Sequence, residues 1–453
     1  MEKTKKITLT TTQIILLSFL AVILLGSGLL ALPISASDGR AVAYVDALFT
    51  ATTATCVTGL VTLPTVAAWS GFGQAVILVL IQIGGLGIIT VTSWLMLLIY
   101  KRLGIKDEVL LQDAFNLNSL SGLGEFLKKV VMGTLIIEAV GALLYMPVFI
   151  ADFGAKGIWI AVFNSVSAFC NAGMDVFAID SFCAYATHPW MNFVTCALIV
   201  LGGIGYIVWW DVLRVFKRFK TEGFKCLNRL TLHSKIALST TAILIVVGAV
   251  IIFIAEYNNP LTLQNLSVYD KIQVSFFQSV TTRTAGFASI PQEHLTSTSA
   301  IVCMLLMFIG GSPVGTAGGI KTVTFAVLIV SAFSTVRNKD CVSLFNRDVS
   351  NSSVYKAIAV TCTSFLIMFI STLLLSLTTD APAIDVMYET ISATATVGLS
   401  RNLTSTLSVW GKLIVTATMY FGRVGPISLA IALNVQKENQ NTIKNPTEEI
   451  SIG

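Results

Sequence analysis

Four short segments share a pattern suited to holding a bare cation. Cys56-Val57-Thr58-Gly59, Cys170-Asn171-Ala172-Gly173, Arg283-Thr284-Ala285-Gly286 and Ala395-Thr396-Val397-Gly398 each end in glycine. The glycines recur at intervals of 114, 113 and 112 residues, and an aromatic (Phe49, Phe163, Phe276, Tyr388) stands ten residues before each. Glycine reaches backbone dihedrals that a Cβ disfavours, so a run ending in it can turn its carbonyl oxygens toward a common axis. Rings of such carbonyls replace the hydration shell of a cation in potassium filters. Side chains just before the glycines differ from segment to segment, which suits recognition by backbone. Simple turns between helices would need glycines too, but not four matched approaches.

A second glycine-rich stretch lies in an otherwise apolar run. Gly310-Gly311-Ser312-Pro313-Val314-Gly315-Thr316-Ala317-Gly318-Gly319-Ile320-Lys321 holds five glycines and one proline in twelve residues. At about 1 kcal/mol per glycine and about 3 per proline, no regular helix survives there. The alternatives are a kinked span packed through its glycines and an unwound loop that obstructs a pathway and must move. A phosphate-binding loop is excluded because Ile320 separates Gly319 from Lys321, and that motif needs Gly-Lys adjacent. The matching run of the fourth unit contains Arg423, within Gly422-Arg423-Val424-Gly425. An arginine inside a span is costly and marks a functional position, with snorkelling to the interface as the plain alternative. Arg423 is expected to donate to exposed carbonyls of the 310–319 loop. Glycines at Gly84-Gly85 with Gly87, and Gly202-Gly203 with Gly205, read as helix packing, and Glu138 as a paired structural acid.

The elements that must position these residues follow from composition. Of 453 residues, 55% are apolar and 12% charged, with mean hydropathy +0.81. A soluble domain carries about 25% charged residues, so lipid is the solvent for most of the chain. The longest uncharged block, Ala47–Tyr100, spans 54 residues, too long for one crossing of about 20. It must fold back inside the membrane. Each filter glycine has the same context: an apolar run (13–34, 130–150, 236–256, 357–378), a short stretch ending at the glycine, then a second run (72–100, 190–213, 299–336, 407–435). Each unit therefore reads as helix, re-entrant half-helix, loop, helix. Irregular backbone at membrane depth is tolerated only when buried in protein or lining a cavity. The half-helix would point its negative C-terminal end at the central cation.

The expected fold is an all-α polytopic membrane protein, with four repeats of first helix, pore helix and second helix around a pseudo-four-fold central pore. The boundaries are a tail at 1–12, repeats at 13–100, 101–216, 217–336 (with the gating loop at 310–321) and 337–435, and a tail at 436–453. With both termini cytoplasmic, 21 of the 29 Lys and Arg fall inside and six outside, Lys321 and Arg423 lying within spans. That asymmetry satisfies the positive-inside rule. The first apolar run, near 20 residues, exceeds a signal peptide's core of about 7–15 and reads as a helix. Eight scattered cysteines without a C-x-x-C pair, and three dispersed histidines (His188, His233, His294), suggest no disulfide framework, zinc site or haem.

The four filter segments and their setting resemble the Ktr/Trk/HKT superfamily of potassium transporters over residues 13–435. Two extra N-terminal helices usual in Trk members are missing, so the layout is similar to the bacterial Ktr membrane subunit. The resemblance implies potassium uptake across a bacterial plasma membrane, through carbonyls of Cys56 to Gly59, Cys170 to Gly173, Arg283 to Gly286 and Ala395 to Gly398. Serine at the first filter position goes with sodium preference in that superfamily; Gly59 there favours potassium. An intramembrane gate is implied at Gly310, Gly311, Ser312, Gly315, Thr316, Gly318, Gly319 and Lys321, with Arg423 beneath the filter. Partners implied are an RCK-type cytosolic ring that binds ATP or ADP and a second copy of the chain. Lipid is a further contact; no cofactor on this chain and no nucleic acid are expected. The alternatives are a sodium-conducting or sodium-coupled member of the superfamily, and a secondary solute transporter, for which inverted symmetry would be expected. A membrane enzyme would need clustered His, Cys or acids in the spans, and the chain has none.

Overall fold

Apolar runs punctuated by capping residues set the element order. The computed structural model describes residues 11–100, 123–339 and 341–425. The start of the N-terminal tail, most of the 101–129 loop, residues 426–435 and the tail at 436–453 lie outside the described residues. The first helices of the four repeats are α1 (Thr11–Leu30), α5 (Leu123–Phe153), α9 (Leu232–Glu256) and α13 (Asn351–Ser376). All four are long and apolar enough to cross a membrane. The short helices are α2 (Tyr44–Cys56), α6 (Lys156–Cys170), α10 (Val268–Thr281) and α14 (Ala383–Ala395). The second helices are α3 (Gly71–Leu86) with α4 (Ile88–Tyr100), α7 (Pro189–Gly203) with α8 (Tyr206–Phe216), α11 (Ser297–Phe308) with α12 (Thr322–Val336), and α15 (Val409–Val424).

Each second helix starts on a side-chain cap. Ser70, Thr296 and Ser408 accept from the backbone N–H three residues on, and His188 does so ahead of Pro189. These caps satisfy donors left open by the first turn. The second helices of repeats one and two are also broken, which corrects their sequence reading as helix packing only. Gly87 and Gly205 hold φ of 87° and 93°, and α7 and α8 meet at a bend of 101°. Gly84, Gly85, Gly202 and Gly203 do pack closely; Gly87 and Gly205 end a helix instead. A lone glycine suits either use, and only the left-handed φ separates them.

The repeats form a closed cycle. Each first helix packs on the short helix of its own repeat. Each second helix packs on the short helix of the next: α3 on α6, α7 on α10, α11 on α14, and α15 back on α2. Lys412 on α15 reaches Asp46 on α2 at 2.6 Å, joining the last repeat to the first. Outward faces of the first helices leave Leu25, Leu143, Ile254 and Phe365 exposed, as a lipid-facing surface requires. Between α12 and α13, a short hairpin pairs Ser343–Leu344 (β1) with Arg347–Asp348 (β2).

Candidate functional site

The short helices α2, α6 and α14 end alike. Val57, Asn171 and Thr396 adopt left-handed conformations with φ of 56°, 61° and 51°. Their N–H groups bond back to Ala54, Ala168 and Ala393, and the next N–H reaches the carbonyls of Thr53, Ser167 and Ser392. This double return is the Schellman end of a helix. In the third repeat, Thr284 is left-handed at φ 67°, but both Ala285 and Gly286 donate to Thr281. A buried hydroxyl sits at the same place in all four ends. Thr53 and Ser392 accept from the N–H of Gly59 and Gly398 at 2.9 and 3.0 Å. Ser167 binds both backbone groups of Met174, and Thr281 donates to Phe287 O at 2.7 Å.

Those hydroxyls stand six residues before the glycine in repeats one, two and four, and five before it in repeat three. The third connection is thus one residue shorter, which corrects the aromatic register. Phe49, Phe163 and Tyr388 are fully buried as anchors, but in repeat three the buried ring is Phe277, nine residues before Gly286, while Phe276 is exposed.

The four glycines meet in one ring. Their φ values are 99°, 64°, 83° and 99° for Gly59, Gly173, Gly286 and Gly398. A Cβ built on Gly59 would lie 2.6 Å from Ala172 O, one on Gly173 2.6 Å from Ala285 O, and one on Gly286 2.5 Å from Val397 O. On Gly398 it would collide with Thr58 O. Every glycine therefore abuts the carbonyl that precedes the next repeat's glycine, around the full cycle. No side chain fits this ring without moving backbone.

The 310–321 segment is a closed, largely buried loop. Its ends are held together by Ile320 N–H to Phe308 O at 3.1 Å, Thr322 N–H to Gly311 O at 3.0 Å, and Ser312 Oγ to Thr322 Oγ1 at 2.9 Å. Its tip lies against the helix break of repeat two: Ser312 N–H donates to Gly203 O, and Tyr206 N–H to Val314 O. Thr316 Oγ1 donates to Phe169 O at the end of α6. Gly318 faces Ala395 O and the Thr396 hydroxyl, leaving no space for a Cβ. The loop thus lies across the C-terminal ends of short helices from two other repeats.

Residues 2–444 match the TrkH family, described as cation transport proteins. The chain belongs to that family. It is 36% identical to the potassium/sodium uptake protein NtpJ of Enterococcus hirae, covering 100% of this chain and 99% of that protein. It is also 36% identical to the Ktr system potassium uptake protein B of Bacillus subtilis, covering 99% and 98%. Among solved structures, the potassium transporter TrkH from Vibrio parahaemolyticus superposes with a TM-score of 0.75, at 16% identity, over 96% of this chain and 87% of that one. The shared fold is that of a membrane-embedded TrkH-family transporter, and the relatives are transporters, not enzymes.

Charged groups at the glycine ring and the 310–321 loop are few; Arg283 and Glu138 are buried, Arg423 and Lys321 part-buried. Arg423 donates from Nη1 to Thr316 O at 2.5 Å and from Nη2 to Gly84 O at 2.6 Å, bridging the loop to repeat one. Lys321 Nζ donates to Ala317 O at 2.5 Å, within the loop. Arg283 Nη2 donates to Gly310 O at 2.7 Å, so a side chain of the third glycine segment holds the loop's first residue. Glu138 accepts from Gln82 Nε2 at 3.2 Å and from Cys170 Sγ at 3.6 Å. Its partners are neutral, and one belongs to the second glycine segment. The four anchoring hydroxyls and the Arg283 contact were not singled out from sequence. The hydroxyls were discoverable as a Thr or Ser five or six residues before each glycine.

Proposed function

We propose that the chain takes up potassium through a channel-like pore whose filter is the ring at Gly59, Gly173, Gly286 and Gly398. The supporting observation is the cyclic abutment of each glycine on the carbonyl before the next. An entering ion exchanges water for carbonyl oxygens of the four segments, the short helices directing their negative ends inward. The hydroxyls of Thr53, Ser167, Thr281 and Ser392 hold those segments in place. The membrane potential suffices to drive entry, at about 2.3 kcal/mol per charge per 100 mV.

The 310–321 loop is the gate. It lies below the ring and is tied to two other repeats, to repeat two through Gly203 and Phe169 and to repeat four through Arg423. Opening requires the Arg423 to Thr316 bond to break and the tip to leave Gly203 and Tyr206. The relative named as a Ktr system protein supports membership in a system with further components. The regulator fitting the basic inner surface is an RCK-type ring carrying ATP or ADP, and the assembled unit is a dimer of four-repeat protomers.

A second reading is sodium conduction or sodium coupling, favoured by the relative named for potassium and sodium uptake. Complementation of potassium-uptake-deficient bacteria at low external potassium separates the two. Rescue by the expressed chain with its regulator supports potassium uptake. No rescue with normal membrane levels, alongside growth-linked sodium entry, supports the second.

A further inference from the structure

Repeat three departs from the other three in three ways. Its spacing from anchoring hydroxyl to glycine is one residue shorter, five against six. Arg283 stands where the others carry Cys56, Cys170 and Ala395. Its second helix is parted by thirteen residues (309–321), where repeats one and two break over one residue (87) and two (204–205). All three departures meet at one hydrogen bond, from Arg283 Nη2 to Gly310 O at 2.7 Å.

We infer that Arg283 is a positioning residue that couples the occupancy of the glycine ring to the state of the loop. Its backbone directly precedes Thr284, whose left-handed φ of 67° sets up the approach to Gly286. Its guanidinium grips the hinge, since Gly310 follows the last residue before the loop departs from α11. The side chain is 5% exposed. Its Nη1 has no partner among the described residues. Arg283 also lines a small, mainly apolar cavity with Ile199, Ile245, Val280 and Gly311. A buried guanidinium loses heavily if its acceptor leaves, so a displaced loop forces Arg283 to move. That movement is transmitted along the backbone to Gly286, which abuts Val397 O and Gly398. Linkage makes the effect reciprocal: an ion that stabilises the ring stabilises the grip on Gly310.

The inference rests on the ring being an ion site, and the test separates the two claims. Hydrogen exchange is measured at the Ile320 and Thr322 amides of the full chain in nanodiscs, in potassium chloride and in choline chloride. In the wild-type chain, exchange is expected to be slower in potassium by about tenfold, within the usual range of coupling. In Arg283→Met the ratio is expected to fall to near one. Should that variant not reach the membrane, Arg283→Gln, too short to span to Gly310, serves the same purpose. A wild-type ratio of one with potassium binding still seen by calorimetry on the same sample would overturn the coupling, and absence of potassium binding would remove the ring as an ion site. A wild-type ratio of about ten that persists in the Arg283 variants, with exchange raised equally in both salts, would reduce Arg283 to a structural role and overturn the coupling.

Discussion

Arg423 and Thr316 lie 107 residues apart in sequence, yet a guanidinium nitrogen of one is 2.5 Å from the carbonyl oxygen of the other. The same guanidinium holds Gly84 O, so the loop of repeat three is fastened to repeats four and one by a single side chain. Arg423→Gln is expected to raise basal potassium uptake, without the regulator, on the order of tenfold, the scale of one charged hydrogen bond. Uptake assays at matched membrane levels check this. Unchanged basal uptake would dismiss the latch.

Gly205 supplies a second route to the same loop. Its Cβ would strike Pro313 O, and its φ of 93° strains any other residue. Gly205→Ala is therefore expected to displace the loop and raise basal uptake several-fold, against a strain on the order of 1–3 kcal/mol. Gly28→Ala, with nothing within 4 Å of the added carbon, is the control and should leave uptake as it was.

The anchoring hydroxyls of Thr53 and Ser392 bond the glycine segments and not the 310–321 loop. Thr53→Val keeps the volume of the side chain and loses the bond to Gly59 N–H; Ser392→Ala does the same for Gly398. Each loss amounts to about 1 kcal/mol and is expected to lower potassium-over-sodium preference several-fold while basal uptake stays low. Competition of the two cations in uptake reads this directly.

Closure of the cycle has its own signature. Lys412 and Asp46, each about 15% exposed, join the fourth repeat to the first. Lys412→Met is expected to cost on the order of 2 kcal/mol, between surface and fully buried pairs. A double-mutant cycle with Asp46→Asn, read by thermal unfolding in detergent, should show coupling of about 1 kcal/mol or more. Additive losses would mean the pair does not close the ring.

What could be read from sequence divides by physical cause. Backbone demands that only glycine meets are visible in the chain: Gly59, Gly173, Gly286 and Gly398 announce both the repeat and its symmetry. Long uncharged runs likewise announce the first helices. The left-handed turns at Val57, Thr284 and Thr396 are not marked in the sequence, because β-branched residues are poor candidates for a left-handed φ. Phe276 keeps the constant offset of ten residues and Phe277 does not, so the sequence hides the one-residue shortening. Gly87 and Gly205 were ambiguous between packing and breakage until their dihedrals were known. The Arg423 contact with the loop is legible in the sequence, only its acceptor Thr316 O being unmarked; the Arg283 to Gly310 bond is legible at neither end, because its acceptor is a carbonyl, which every residue carries.

The central claim is that four glycines of one chain form a potassium-selective ring. Ion flux into proteoliposomes under a fixed membrane potential tests it most directly, comparing the wild-type chain with Gly173→Ala, in an Arg423→Gln background that holds the loop free. The account predicts potassium flux exceeding sodium flux by about tenfold or more, a difference of about 1.4 kcal/mol, with the preference lost in Gly173→Ala because its Cβ meets Ala285 O. Equal potassium and sodium fluxes in the parent, or an undiminished preference in Gly173→Ala, would contradict it.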